Sequence, residues 1–197
     1  KMKANKVKGF NGSMNLSLGQ GFFTKTGNSI NLNYRNGKTN WFLNYGMRAS
    51  REKMDMWTLR KYVNTKNEDS VLLEQPNYQK SSQSGQNIKT GFDLFLNKNT
   101  TLGLVFTGGI FNRRATSIAE INWMDPYYKI DSSINTWGNN NRKFKRGGVN
   151  ANGRFKLDEG SELAVDLDYV NFTINGDQQY QTRLVAPGSD IELTKGD

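Results

Sequence analysis

Seven stretches of the chain place apolar residues at every second position, the spacing of a β-strand whose two faces meet different surroundings. From Phe10 the even positions read Phe10, Gly12, Met14, Leu16 and Leu18, and the odd ones Asn11, Ser13, Asn15 and Ser17. A second strand sets Ile30, Leu32 and Tyr34 against Asn31, Asn33 and Arg35. A third sets Trp41, Leu43, Tyr45, Met47 and Ala49 against Asn40, Asn44, Gly46 and Arg48. The fourth carries Ile88, Phe92, Leu94 and Leu96; the fifth Leu102, Leu104, Phe106 and Ile110; the sixth Val149, Ala151, Phe155 and Leu157. In the seventh, Leu163, Val165, Leu167 and Tyr169 face away from Asp166 and Asp168, after which Phe172 and Ile174 change parity, read as a bulge or the exit from the apolar zone.

The links between these stretches alternate long and short. Tight turns are expected at 35–38, 97–100 and 158–161, the first as a type I′ turn on Asn36-Gly37. Long links are expected near 19–28, 50–85 and 114–144, with a tail after 170. Apolar segments of about 8 to 11 residues, tilted by ~45°, span roughly 25 Å, the height of an outer-membrane apolar band. Phe10, Tyr34, Trp41, Phe92 and Phe155 gather near the tight turns, where an interfacial aromatic girdle would sit. The expectation is an all-β fold, an antiparallel up-and-down transmembrane β-barrel segment of about seven strands.

A soluble or surface β-sandwich also alternates, and it would put Ile30, Leu32, Leu104 and Leu167 in one shared core. The polar face favours the barrel. Asn11, Asn15, Asn31, Asn33, Asn40, Asn44, Asn87, Asn150 and Asn152 all lie on it, and Asn, poor in ordinary strands, suits a wet lumen crossed by side-chain hydrogen bonds.

Composition narrows the chemistry. The chain of 197 residues has neither Cys nor His, which removes disulfides, thiol nucleophiles and imidazole catalysis, so neither an enzyme nor a cofactor is expected. Its mean hydropathy of −0.75 includes no apolar run near the ~18 to 20 residues of a spanning helix. A barrel is compatible with that average, because lipid-facing and lumen-facing residues interleave. The net charge of +9 is scattered, apart from Lys1, Lys3, Lys6 and Lys8 and from Arg142, Lys143, Lys145 and Arg146. No nucleic-acid fold signature accompanies it, and attraction to lipid phosphates at a membrane rim accounts for such clusters. Starting at Lys1 without a signal peptide, the sequence reads as an internal piece of a longer polypeptide.

Lys8-Gly9-Phe10-Asn11-Gly12-Ser13, Asn31-Leu32-Asn33-Tyr34-Arg35-Asn36-Gly37-Lys38, Phe42-Leu43-Asn44-Tyr45-Gly46 and Asn99-Thr100-Thr101-Leu102-Gly103 together resemble the start of the barrel in TonB-dependent receptors. The texture is closest to the outer-membrane β-barrel family of Bacteroidota. The resemblance implies that 1–8 form a plug-to-barrel junction and that 9–197 form part of a barrel of about 22 strands. It implies nutrient uptake across the cell outer membrane, the short turns periplasmic and the long loops near 50–85 and 114–144 extracellular. The implied partners are outer-membrane lipid, the protein's own plug domain, the TonB energy-coupling system and a surface lipoprotein, with no nucleic acid. A passive porin or scaffolding barrel shares the same strand features.

Candidate chemistry is sparse. Trp123, Tyr127, Tyr128 and Trp137, beside Asp125, Asp131 and residues 139–141, could stack on a sugar or peptide, or pack the loop on itself. Met54, Met56, Trp57, Leu59 and Tyr62 could extend the third strand as a ligand rim. Glu68, Asp69 and Glu74 match no calcium loop. Arg48, Lys89, Asp93, Arg154, Lys156, Asp166 and Asp168 are expected to face the lumen, where ion pairs could hold a plug.

Overall fold

The computed structural model describes residues 8–63, 70–158, 160–186 and 189–196. Its described residues form strands and turns without a helix. Eight strands pair in sequence order into one antiparallel up-and-down sheet: β1 (Gly9–Gln20), β2 (Thr24–Asn36), β3 (Thr39–Val63), β4 (Ser70–Phe95), β5 (Thr100–Met124), β6 (Ile130–Asp158), β7 (Ser161–Ala186) and β8 (Ser189–Gly196). The order is linear, and among the described residues no ladder joins β1 to β8. The seven expected strands are therefore present and an eighth follows them. Residues 1–7 of the expected junction lie outside the described residues.

The strands run much longer than their apolar zones. The link expected at 19–28 shrinks to residues 21–23, and that at 114–144 to residues 125–129. Most of 50–85 belongs to β3 and β4, with 64–69, including Glu68 and Asp69, outside the described residues. The tail after 170 continues as β7 to Ala186 and pairs with β8, with a register shift at Thr182/Arg183. A ladder needs only backbone donors and acceptors, whereas period-two hydrophobicity needs two different media; where the media no longer differ, the pattern vanishes and the strand does not.

Turn chemistry also departs from expectation at one place. Asn36 pairs with Thr39, so the central residues of the first tight turn are Gly37 and Lys38 rather than Asn36-Gly37. Gly37 has φ 57° and Lys38 does not have positive φ, the sign pattern of a type II′ turn instead of type I′. The 97–100 turn is closed by the Asn97 side chain, whose Oδ1 accepts from Asn99 N at 2.8 Å. At 158–161, Gly160 takes φ 98° and Glu159 lies outside the described residues.

The sheet divides into two units. The first comprises the residues up to Ala49, Ser84–Asn112 and Lys143–Ile174; the second comprises Ser50–Gln83, Arg113–Arg142 and the residues from Asn175 onward. In the first unit no described side chain is buried. In the second, Leu72, Leu73, Ala115 and Met124 are buried with Ser70, Ser81 and Asn122.

The two-sheet alternative fails on this architecture. There is one sheet, and Ile30 and Leu167, assigned to the shared core, are 37% and 69% exposed.

Candidate functional site

In the first unit, register puts each alternating set on a common face. β1 pairs with β2 from Gly9↔Arg35 to Gln20↔Thr24, and β2 with β3 from Thr26↔Ala49 to Asn36↔Thr39. The pairs Phe10↔Tyr34, Met14↔Ile30 and Ile30↔Tyr45 thus keep the apolar residues together. The face continues onto β4 through Trp41 and Phe92, whose ring centroids lie 5.0 Å apart. On β6, Phe155 folds over Gly153, where a Cβ would meet its ring at 2.9 Å and Leu102 of β5 at 3.4 Å. This face is bare: Leu16, Leu18, Phe106, Leu157 and Tyr169 are exposed, Leu18 by 80%. Moving each such side chain from water into an apolar medium is worth about 1.5–3 kcal/mol, so the surface is costly in water and favoured in lipid.

The opposite face is built from amides. All nine alternating Asn residues share it, and several bond across strands. Asn31 Nδ2 donates to Ser13 Oγ at 3.3 Å, Asn40 Nδ2 to Asp93 Oδ2 at 3.2 Å and Asn150 Nδ2 to Asp168 Oδ1 at 2.9 Å, while along β6 Asn152 Nδ2 donates to Asn150 Oδ1 at 2.8 Å. Glycine leaves room for these side chains: a Cβ at Gly46 would lie 2.7 Å from Asn87 Oδ1, and one at Gly103 would lie 2.5 Å from Asn152 Oδ1. Aromatic residues on this face are paired to fit it. Phe42 lies over Gly91, and the Arg35 guanidinium stands 4.5 Å from the Phe95 ring centroid.

The charged residues singled out from sequence fall on this amide face. Arg48, Lys89, Asp93, Arg154, Lys156, Asp166 and Asp168 occupy the strand positions whose parity matches the amide contacts just described. Asp93 and Asp168 are held by Asn40 and Asn150, and Arg154 Nε pairs with Glu162 Oε1 at 2.8 Å. That pair is exposed and contributes at most about 1 kcal/mol. Among the described residues, Arg48, Lys89 and Asp166 form no ion pair.

The expected bulge after Tyr169 is a change of face. β7 is unbroken there, and a Cβ at Gly148 would touch Val170 at 3.4 Å, on the face where Asn150 holds Asp168. Phe172 lies 6.3 Å from Phe144 on β6. An apolar patch thus interrupts the amide face at this end of the unit.

The second unit has a different interior. Trp57 Nε1 donates to Glu74 Oε1 at 2.8 Å, Asn122 Nδ2 donates to Glu74 Oε2 at 3.2 Å, and Ser133 Oγ donates to Asn122 Oδ1 at 2.6 Å. This chain crosses β3, β4, β5 and β6 beside the buried Leu72 and Met124. Asn122 and Ser133 carry no sequence signal, because only the shortness of the 125–129 turn brings them opposite each other. Nearby, Lys53 Nζ donates to the Asp55 carboxylate at 2.8 Å, a bond that holds the ammonium above its ordinary pKa. The same ammonium lies 5.3 Å from the Tyr78 ring centroid.

The four aromatic ligand candidates are not brought together. Trp123 lies on β5 and Trp137 on β6, and the Asn122–Ser133 contact fixes a register that sends them to opposite faces. Tyr127 and Tyr128 occupy the turn, where Asp125 Oδ1 accepts from Tyr127 N at 2.8 Å and from Lys129 N at 2.9 Å. Tyr127 is 89% exposed, and Tyr128 takes φ 65°, a conformation uncommon for a bulky residue. Of the proposed rim, Met54, Met56 and Tyr62 alternate against Trp57 and Leu59, so β3 has no single apolar face in this unit.

No protein-family model matches the chain, and no curated protein matches its sequence.

Proposed function

We propose that the chain is a segment of an outer-membrane β-barrel, with the apolar face of the first unit against lipid and the amide face lining a wet lumen. The observation that carries this reading is the pairing of a bare apolar surface with a hydrogen-bonded amide surface on the two sides of one sheet. A water-soluble sheet covers its apolar face with another layer; among the described residues nothing covers this one. The second unit, with its own buried residues, is the part that meets water.

Within that architecture we assign the role of an active transporter for nutrient uptake, on the strength of the likeness to TonB-dependent receptors. The lumen charges Arg48, Lys89 and Asp166, free of ion pairs among the described residues, suit contact with a plug domain that rearranges during transport. Coupling to the TonB system, and to a surface lipoprotein, belongs to the same reading.

The chain has four tryptophans, and they test the membrane assignment directly. In single-Trp versions of the full-length protein reconstituted in vesicles, brominated acyl chains should quench Trp41 strongly and leave Trp57, Trp123 and Trp137 bright. Recovery of the full-length protein as a freely soluble monomer, with Trp41 unquenched, would overturn the proposal.

A further inference from the structure

The second unit holds a polar hollow of about 240 Å³ over β5 and β6. Its floor is Ala115 and Gly138, two residues without a long side chain, and a Cβ added at Gly138 would come within 2.9 Å of Ser117 Oγ. Arg113 and Arg142 stand at its rim, each two positions from another lining residue of its own strand and therefore on the same face. Gln79 of β4, Asn140 of β6 and Gln178 of β7 add amides around them.

No carboxylate lines this hollow. Among the described residues Arg113 and Arg142 have no ion-pair partner, so two guanidiniums face one concavity with their fork-shaped donor sets uncommitted. Two guanidiniums lining one concavity with no carboxylate beside them favour an anion there. The amides and the Ser117 hydroxyl offer both donors and acceptors, which a bare inorganic ion would leave largely unused but a ring of hydroxyls would satisfy. The volume lies just below the ~300–1,000 Å³ of sites for drug-sized ligands, a fit to one small residue.

We propose that this hollow binds a sugar acid, with Arg113 and Arg142 on its carboxylate and Gln79, Asn140 and Gln178 on its hydroxyls. The site stands on the second unit alone and does not depend on the membrane assignment, which tryptophan quenching tests separately.

Calorimetric titration of the full-length protein with D-glucuronate, D-glucose and inorganic phosphate decides it. Glucuronate should bind more tightly than either of the others, more weakly as salt rises, and about tenfold or more weakly in R113Q/R142Q. Gly138→Val, which fills the floor, should abolish glucuronate binding while the β-sheet circular-dichroism spectrum of the folded protein is retained. Glucose or phosphate binding as tightly as glucuronate, no measurable binding of glucuronate, or undiminished glucuronate binding in R113Q/R142Q would each overturn the proposal.

Discussion

β5 passes through both units, and its two halves present opposite solutions to the same problem. In the first unit Leu102, Phe106 and Ile110 stand exposed on one face, while Val105, Thr107 and Phe111 share the other with glycines and amides. In the second unit Ala115 is buried on one face, and Asn122 and Met124 on the other. Along the sheet β5 keeps the same two neighbours, β4 and β6, so the difference described here lies in what the side chains meet. A strand can be held by its ladder in either setting, and only the side chains distinguish the two halves.

The sharpest way to break this comparison is to place the same charge on the same face of β5 in each unit. Phe106→Arg, at the apolar face of the first unit, should cost about 2–4 kcal/mol in a bilayer, read as a shifted urea midpoint for vesicle-inserted protein. Ile118→Arg, twelve positions later on the same strand, should stay within about 0.5 kcal/mol. Equal effects would remove the distinction between the units and the lipid assignment with it.

A second comparison sets the two polar systems side by side. Asn122→Ala strips a donor from Glu74 and the acceptor of Ser133 inside the buried part of the second unit, and should cost about 1–3 kcal/mol, with faster hydrogen exchange at neighbouring β4 and β6 amides. Asn150→Ala removes the donor to Asp168 on the amide face of the first unit. There water can replace the lost partner, and the expected loss is smaller, about 0.5–1 kcal/mol by the same denaturation measurement. A larger loss at Asn150 than at Asn122 would mean that the amide face is dry.

The alternating residues disclosed the fold wherever two media differ. From Phe10 to Leu18, or from Trp41 to Ala49, parity alone gave the strand and its two faces, one apolar and one of amides. It went silent past Ala49 and Asn112, because apolar and polar residues there are mixed on both faces of the strands, and 50–85 and 114–144 consequently read as loops. The turn at Asn36-Gly37 was legible as a turn, but its type depended on register, which Asn36↔Thr39 set. The charged residues of the amide face were legible for the same reason as the strands. The Trp57–Glu74–Asn122–Ser133 chain and the Arg113–Arg142 hollow were not, since each joins residues whose proximity follows only from the lengths of the strands between them.

The outer edge of β1 bears on how such a sheet could enter a membrane. Its twelve residues are paired on one side only, to β2, so among the described residues every other N–H and C=O along that edge has no strand to bond. Water satisfies those groups, while hydrocarbon leaves each of them several kcal/mol out of pocket. Insertion one hairpin at a time would carry that penalty at every stage. On the membrane proposal, the first unit would therefore cross into lipid only once this edge has a partner, which would make its entry a collective event rather than a stepwise one.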